Sequence, residues 1–306
     1  MSVVVTTPTG YVGSRVVECL LAADVPLTLV ARDPSRLPVA ARERATIVQG
    51  SLDDPAVLRR AARGADALLV VVPVPSPAHD WRDWHLALGR NAAEAVRDGD
   101  VRRVVLLSSV GARCPDSGPA RALGEVEELL AAVTPNLVRL RAGYFMENFR
   151  YSLRTIVEQG MIFGGFPAEQ PLRMVAMRDV GEVAARWLGD ASWSGTRTVG
   201  AHGPADVSHA DAARAIGQLV GRTITYVQVT LDQMGQALAA LGLGPSIVDG
   251  YQEFVGAYSR EPRFVAEPRT PESTTPTTFA QFARDVLKPP LDRAAVAAAA
   301  RRSSRH

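Results

Sequence analysis

Cysteine and lysine are scarce in this chain of 306 residues. The two cysteines fall on a predicted helix (Cys19) and in a predicted loop (Cys114), so we expect no structural disulfide. Lys288 is the only lysine, and all other basic residues are arginines. The five histidines and two cysteines show no metal-ligand spacing, so no metal site is expected.

Strong net charge and long apolar runs are also missing. The formal net charge is +2 and no long run of one sign occurs, which argues against a nucleic-acid partner. No apolar run reaches the roughly 18 residues that a membrane span requires. Met1 leads directly into the strand-like run Val3–Val5, without the segments of a secretion signal. We therefore expect a cytoplasmic protein whose partner is a small molecule.

The hydrophobic content of 47% is sufficient for a large core, and the first half of the chain alternates strand and helix patterns. Helical patterns separate apolar, β-branched runs, which is typical of a doubly wound α/β domain with a parallel sheet. The predicted strands are Ser2–Thr6, Leu27–Ala31, Thr46–Gln49, Ala67–Val72, Arg103–Ser108 and Asn136–Arg141. After about Tyr144 this alternation gives way to mixed elements, which indicates a smaller α/β cap.

The first predicted strand turns directly into a helix through Thr7-Pro8-Thr9-Gly10-Tyr11-Val12-Gly13. Such a turn directs unpaired amides and the positive helix end toward a pyrophosphate, and Gly10 lets the phosphate approach the backbone. Thr7 replaces the usual first glycine of this dinucleotide pattern, and a merely tight turn is the alternative. The predicted contacts with the nucleotide are Thr7, Thr9, Gly10, Tyr11 and Val12.

Arg32 ends the second predicted strand, where an acidic residue would hold the ribose of NAD. Because a guanidinium pairs with phosphate through two hydrogen bonds, Arg32 and Arg36 favour the 2′-phosphate of NADP(H). Alternatively, Arg32 is a solvated charge or pairs with Asp33. Farther along, Leu52 and Val72 are predicted to line the adenine and the inner ribose, whereas Asp53 is better interpreted as a helix cap before Pro55.

Several segments together resemble the NmrA-like group of atypical short-chain dehydrogenases/reductases. They extend over roughly residues 2–285 and are Thr9–Gly13, Val30–Pro34, Val105–Ala112, Arg139–Phe149, Arg178–Ala184 and Pro276–Phe282. The resemblance implies a Rossmann domain over 1–145, with 175–200 returning to it, a substrate-binding cap over 146–288 and a tail over 289–306. It also implies NADP(H) as cofactor, and members that are either reductases or redox-sensing regulators.

Typical reductases of the wider superfamily combine a serine with a Tyr-x-x-x-Lys pair that protonates the substrate oxygen. Counted from Glu127, which matches a recurrent glutamate of the group, the lysine position falls on Gly124 and the tyrosine position on Ala120. No tyrosine of this chain has a lysine four residues later. The resemblance includes antibiotic-tailoring ketoreductases that lack this pair.

Two functions remain open at this stage. The first is NADPH-dependent reduction of a carbonyl or quinone group on a hydrophobic, aromatic, polyketide-like molecule. The second is a non-catalytic NADP(H) sensor of the NmrA type. The serine of the superfamily survives as Ser108 or Ser109; we assign Ser108 to the cofactor and Ser109 to catalysis.

Candidates for the reacting centre and the substrate pocket surround the same predicted strand ends. Besides Ser109, the catalytic candidates are Tyr144 and His79, although a loop histidine is commonly only solvated. Aromatic and methionine side chains suit a flat hydrophobic ligand, with ordinary cap core as the alternative. The predicted pocket residues are Trp81, Phe145, Met146, Phe149 and Phe163. Glu147 and Asn148 either orient substrate or cap a following helix.

Overall fold

The computed structural model describes residues 1–74, 80–260 and 268–303. Its strands are β1 (Val3–Thr6), β2 (Leu27–Ala31), β3 (Thr46–Gln49), β4 (Ala67–Val70), β5 (Arg103–Ser109), β6 (Leu137–Ala142), β7 (Tyr144–Phe145), β8 (Met161–Gly164), β9 (Met174–Val175), β10 (Arg197–Ala201) and β11 (Thr225–Gln228). Seven strands form one sheet in the order β10-β6-β5-β4-β1-β2-β3, and every pair is parallel. The predicted Rossmann-like fold is therefore confirmed.

The helices of the described ranges cover both faces of this sheet and build most of the cap. They are α1 (Tyr11–Ala22), α2 (Val39–Arg44), α3 (Pro55–Ala62), α4 (Trp81–Gly99), α5 (Pro119–Ala131), α6 (Leu153–Gln159), α7 (Met177–Gly189), α8 (His209–Val220), α9 (Leu231–Ala240), α10 (Pro245–Arg260), α11 (Phe279–Phe282) and α12 (Lys288–Ser303). Helices α1, α2 and α7 pack on one face, and α3, α4 and α5 on the other. Successive residues of β1 therefore join opposite cores, Val3 and Val5 on one side and Val4 on the other.

The cap has its own hydrophobic core and two short parallel strand pairs, β8 with β11 and β7 with β9. The chain enters the cap after β6, returns to the sheet as α7 and β10, and then enters the cap again. The sequence predicts a tail over 289–306, with a frayed helix or tail in the alanine- and arginine-rich stretch Arg293–His306. The structure has α12 there, in contact with α6, and Leu291 in its first turn is buried.

Two buried carboxylates join the cap to the sheet domain. Glu147 accepts hydrogen bonds from the Met177 amide at 3.0 and 3.1 Å. It therefore caps the start of α7, and helix capping was one of its two predicted roles. Asp179 accepts hydrogen bonds from the amide of Thr277 at 3.0 Å and from its hydroxyl at 2.6 Å. The segment before α11 is thereby held against α7. No helix within the described residues has both the length and the hydrophobicity to cross a bilayer.

Candidate nucleotide and substrate site

The predicted site residues follow the carboxyl ends of neighbouring parallel strands and therefore share one edge of the sheet. The turn after β1 carries the residues predicted to bind the pyrophosphate. Arg32 follows β2, Leu52 follows β3, Val72 follows β4 and Tyr144 follows β6, whereas Ser109 is the last residue of β5. The distribution of these residues along one edge matches what a dinucleotide extended across the sheet requires.

Thr7 takes up the backbone conformation that the absent glycine would adopt. Its φ is +51°, in the left-handed region, and its carbonyl accepts a hydrogen bond from the Gly10 amide at 3.0 Å. A Cβ on Gly13 would lie 2.2 Å from the Thr7 carbonyl oxygen, so a side chain there is excluded. The turn thus has the tight geometry of a dinucleotide-binding loop, although threonine replaces glycine at its first position.

The first turn of α1 is open to an anion. Gly10 caps the helix without a side-chain hydrogen bond, and no acidic residue lies in the first turn. Gly10 and Tyr11 are exposed, with Tyr11 at 56%. Uncapped amides together with the positive helix end favour binding of a phosphate group.

Arg32 and Arg36 are exposed beside this turn and form no ion pair with a residue in the described ranges. Asp33 accepts hydrogen bonds from the Ser35 hydroxyl at 2.6 Å and amide at 3.0 Å. These two bonds hold the pKa of the Asp33 carboxyl below its usual value. The alternative of an Arg32–Asp33 pair is therefore not what the structure contains, and Arg32 is accessible to a ligand.

The residues after β3 and β4 include one correction. Asp54, not Asp53, caps α3 by accepting a hydrogen bond from the Ala56 amide at 2.9 Å. Leu52 and Val72 are both half-buried, and β4 ends at Val70, so Val72 lies beyond the strand. Sequence reasoning missed Thr6, whose buried hydroxyl donates to the Leu69 carbonyl at 2.9 Å and accepts from the Val71 amide at 3.0 Å. The available signal was a hydroxyl residue directly after the valine run Val3–Val5.

Ser108 does not have the predicted role. It is buried, and its hydroxyl donates to Glu127 of α5 at 2.6 Å. The same carboxylate accepts from the Arg141 guanidinium at 2.9 and 2.6 Å. Ser108 thus belongs to an internal network that joins β5, β6 and α5, and its buried hydroxyl is not available to a nucleotide.

Ser109, one residue later, is half-buried at the end of β5. Its Oγ accepts a hydrogen bond from the Gly111 amide at 3.3 Å, which leaves the hydroxyl proton able to donate. Ser109 pairs in register with Ala142, so the start of the Tyr144 segment lies on the adjacent strand. Its catalytic role remains a prediction.

Gly124 stands where ordinary reductases have lysine, and the backbone at Ala112 occupies the space that a side chain there would need. A Cβ on Gly124 would lie only 2.1 Å from the Ala112 carbonyl oxygen, because α5 packs directly on the loop after β5. Ala120, at the tyrosine position, is buried. The absence of the usual Tyr-x-x-x-Lys pair is thus built into the packing of α5.

Tyr144 is half-buried between the sheet and the cap. Its ring packs edge-on against the rings of Phe166 and His209, with 5.6 and 5.5 Å between ring centroids. Burial raises the pKa of Tyr144 to about 12, partly opposed by a hydrogen bond with the Asn148 side chain. The phenol therefore remains protonated at neutral pH and can act as a hydrogen-bond donor.

The predicted pocket residues separate into two groups. Met146 and Phe149 are 1% and 3% exposed and belong to the cap core, so their assignment to the pocket is wrong. Phe145 is half-buried against the core of the sheet domain, whereas Phe163 is 41% exposed on β8. Trp81 is half-buried at the start of α4.

Trp81 connects α4 with cap helix α10. Its amide donates to the Ser246 hydroxyl at 3.0 Å, and a Cβ on Gly250 would lie 2.9 Å from its indole nitrogen. His85, one turn farther along α4, is buried with its Nδ1 2.6 Å from the Trp81 carbonyl oxygen. His79 lies outside the described residues. Within those residues, no group of three or more metal-ligating side chains occurs.

Comparisons with known proteins agree with this arrangement. A family model described as NAD(P)H-binding matches residues 8–139. The chain is 26% identical over 293 residues to an NAD(P)H azoreductase of Xenophilus azovorans, covering 92% of this chain and 96% of that protein. It is 29% identical over 242 residues to a (4-alkanoyl-5-oxo-2,5-dihydrofuran-3-yl)methyl phosphate reductase of Streptomyces griseus, covering 78% and 80%.

A solved structure with the same fold is the NADPH-dependent quinone oxidoreductase of Escherichia coli in complex with NADPH. It superposes with a TM-score of 0.77 at 21% identity, covering 94% of this chain and all of that one. Neither the NmrA-like subgroup nor a likeness to antibiotic-tailoring enzymes is specifically indicated by these relatives. The matched residues 8–139 extend from the turn after β1 into β6 and so fall within the seven-stranded sheet domain.

Proposed function

We propose that this NAD(P)H-dependent oxidoreductase reduces an electrophilic group, a carbonyl or a quinone, on a hydrophobic aromatic small molecule. The single observation that carries the proposal is the open phosphate seat at the start of α1, which lies on the same sheet edge as Ser109 and Tyr144. A nucleotide bound there would have these two hydroxyl groups farther along the same sheet edge.

NADPH is the proposed reductant. Arg32 and Arg36 follow β2, the neighbour of β1, and are exposed without an ion pair among the described residues. A 2′-phosphate on the ribose supplies the anion that two such guanidinium groups bind. With NADH in the same site, both arginines would lack the 2′-phosphate that NADPH offers them.

The bound cofactor supplies a hydride, and the substrate oxygen then needs one proton. Ser109 and Tyr144 donate hydrogen bonds to the oxygen on which negative charge develops. Because the pKa of Tyr144 is raised to about 12, it holds its proton firmly, and water or the substrate's own phenol completes the protonation. Positioning of the reactants supplies the rest of the rate enhancement in the absence of a lysine.

A flat aromatic substrate is supported by three predicted site residues that have aromatic side chains and are not buried. Trp81 and Tyr144 are half-buried, and Phe163 is 41% exposed. The relatives reduce azo compounds, furanone phosphates and quinones, according to their names. A shared preference for conjugated electrophiles supports the proposal, and a polyketide-like aromatic ketone is one member of that class.

A non-catalytic NADP(H) sensor is the second candidate. It is favoured by one observation, the packing of Gly124 on the Ala112 carbonyl, which leaves no space for the lysine of ordinary reductases. In a sensor, the same seat would distinguish oxidised from reduced nucleotide without turnover.

The test is loss of NADPH absorbance with a panel of quinones, azo dyes and polycyclic ketones. Gly13→Val is the control, since its side chain collides with the Thr7 carbonyl and removes the seat, so any rate that persists in this variant comes from a contaminant. Turnover by the natural chain alone supports the reductase. Absence of turnover on every compound, with tight and redox-dependent nucleotide binding, would instead establish the sensor.

A further inference from the structure

Arg150 extends from the cap to the start of the nucleotide-binding helix. It lies in the 3₁₀ segment Met146–Ser152, and its guanidinium carbon is 5.7 Å from the centre of the Tyr11 ring. Tyr11 is the first residue of α1 and is 56% exposed. A cationic side chain of the cap is thus held over the same helix end that is open to a phosphate.

The other basic residue at this end of α1 is already engaged. Arg15 pairs with Glu18 at 2.7 Å and with Glu182 at 2.7 Å, so its charge is compensated within the protein. Arg150 is half-buried and forms no ion pair with a residue of the described ranges. Burial raises the pKa of Glu147 and the charge of Arg150 partly opposes this shift, while the carboxylate accepts hydrogen bonds from the amide of Met177.

We infer that Arg150 is a pyrophosphate ligand contributed by the cap, which leaves the face of Tyr11 and binds the pyrophosphate when the nucleotide occupies the start of α1. This inference rests on the proposed function, because it requires a nucleotide in that seat. A cation–π contact with an exposed tyrosine is weak compared with a charge-assisted pair between guanidinium and phosphate. The exchange therefore favours the bound nucleotide.

The location of Arg150 also connects the two halves of the site. The residue lies six positions after Tyr144, in the segment that carries Asn148 and leads into α6. A guanidinium held by the pyrophosphate fixes this segment beside the sheet edge. Binding of the nucleotide and binding of the aromatic substrate are then expected to strengthen each other, by the reciprocity of coupled sites.

The test compares two fragments of the cofactor by calorimetry. Adenosine 2′-monophosphate contains the adenine and 2′-phosphate but no pyrophosphate, whereas 2′-phospho-ADP-ribose contains both phosphate sites. Arg150→Ala is expected to weaken 2′-phospho-ADP-ribose by about tenfold or more and adenosine 2′-monophosphate by less than about twofold. Arg150→Lys, which keeps the charge without the planar fork, should lie between the two proteins.

Arg154→Ala is the matched control, since it removes an exposed arginine from the same stretch of chain with the same loss of charge. Equal affinities in the Arg150→Ala and Arg154→Ala variants would overturn the inference, as would an equal loss for both fragments. If Arg150→Ala does not fold, Arg150→Lys and Arg150→Gln carry the same comparison. A natural chain that binds neither fragment would instead refute the proposed function, so the two failures are distinguishable.

Discussion

His209 provides a quantitative test of the cap core. Its ring is 4% exposed and is surrounded by aromatic rings, with ring centroids of Tyr226 at 4.7 Å and Phe166 at 5.3 Å. Burial lowers the pKa of His209 to about 4, and within the described residues its Nδ1 has no hydrogen-bond partner. A neutral imidazole is therefore required in the folded state.

The sign of the pH dependence follows from the two pKa values. As the pH falls below the ordinary histidine value of about 6.5, the unfolded chain takes up a proton that the folded chain does not accept until about pH 4. The stabilisation is complete above the unfolded pKa and is lost as the pH falls toward the folded one. At pH 5 the loss from this group is about 2 kcal/mol.

His209→Phe keeps an aromatic ring in the cluster and removes the titration. We expect the free energy of unfolding in urea to fall between pH 7.5 and pH 5 by about 2 kcal/mol less in this variant than in the natural protein. Tyr226→Phe is the matched control, because it alters the same cluster without an acid-range titration. Parallel pH profiles for His209→Phe and the natural protein would refute the reasoning, whatever their absolute stabilities.

Four further predictions concern the sheet domain and its site. Arg32→Ala should weaken NADPH by about 2 kcal/mol and NADH by little, as measured by fluorescence titration; equal losses would exclude Arg32 from the 2′-phosphate site. Ser109→Ala should lower turnover while leaving the nucleotide affinity close to that of the natural protein, and an unchanged turnover would remove Ser109 from the mechanism. Gly124→Ala should cost about 1–3 kcal/mol of stability because its Cβ meets the Ala112 carbonyl, whereas Gly189→Ala, with only an ordinary contact to Leu20 at 3.6 Å, should not. Glu127→Leu should cost about 3–5 kcal/mol by leaving Arg141 buried without its carboxylate, and adding Arg141→Met should recover most of this loss; no recovery would contradict the role of the ion pair. Urea titration checks both stability predictions.

The sheet was predictable because its strands are buried on both faces. Runs such as Val3–Val5 and Leu68–Val70 are apolar without interruption, and each is followed by a helical pattern of amphipathic spacing. The same property hides which face a given residue occupies. Ser108 and Ser109 are equivalent in the sequence, and only the position of Glu127 on α5 assigns Ser108 to the interior.

The cap was less predictable because distant segments determine its burial. Phe149 is buried against Phe279 at 4.9 Å between ring centroids, although the two lie far apart in the chain. Phe163 is also an aromatic residue of the cap, but it is exposed on β8, which pairs only with β11 among the described strands. Aromatic content alone therefore indicated a hydrophobic region and did not separate core from pocket.

The left-handed backbone of Thr7 has a consequence for finding such proteins. This turn requires a left-handed main chain at its first position, and the β-branched Thr7 adopts that conformation although it costs about 1–2 kcal/mol relative to glycine. Pattern searches that insist on glycine there will discard chains whose turn has the same geometry. A filter based on the second and third glycines and on the strand before them would retain such chains.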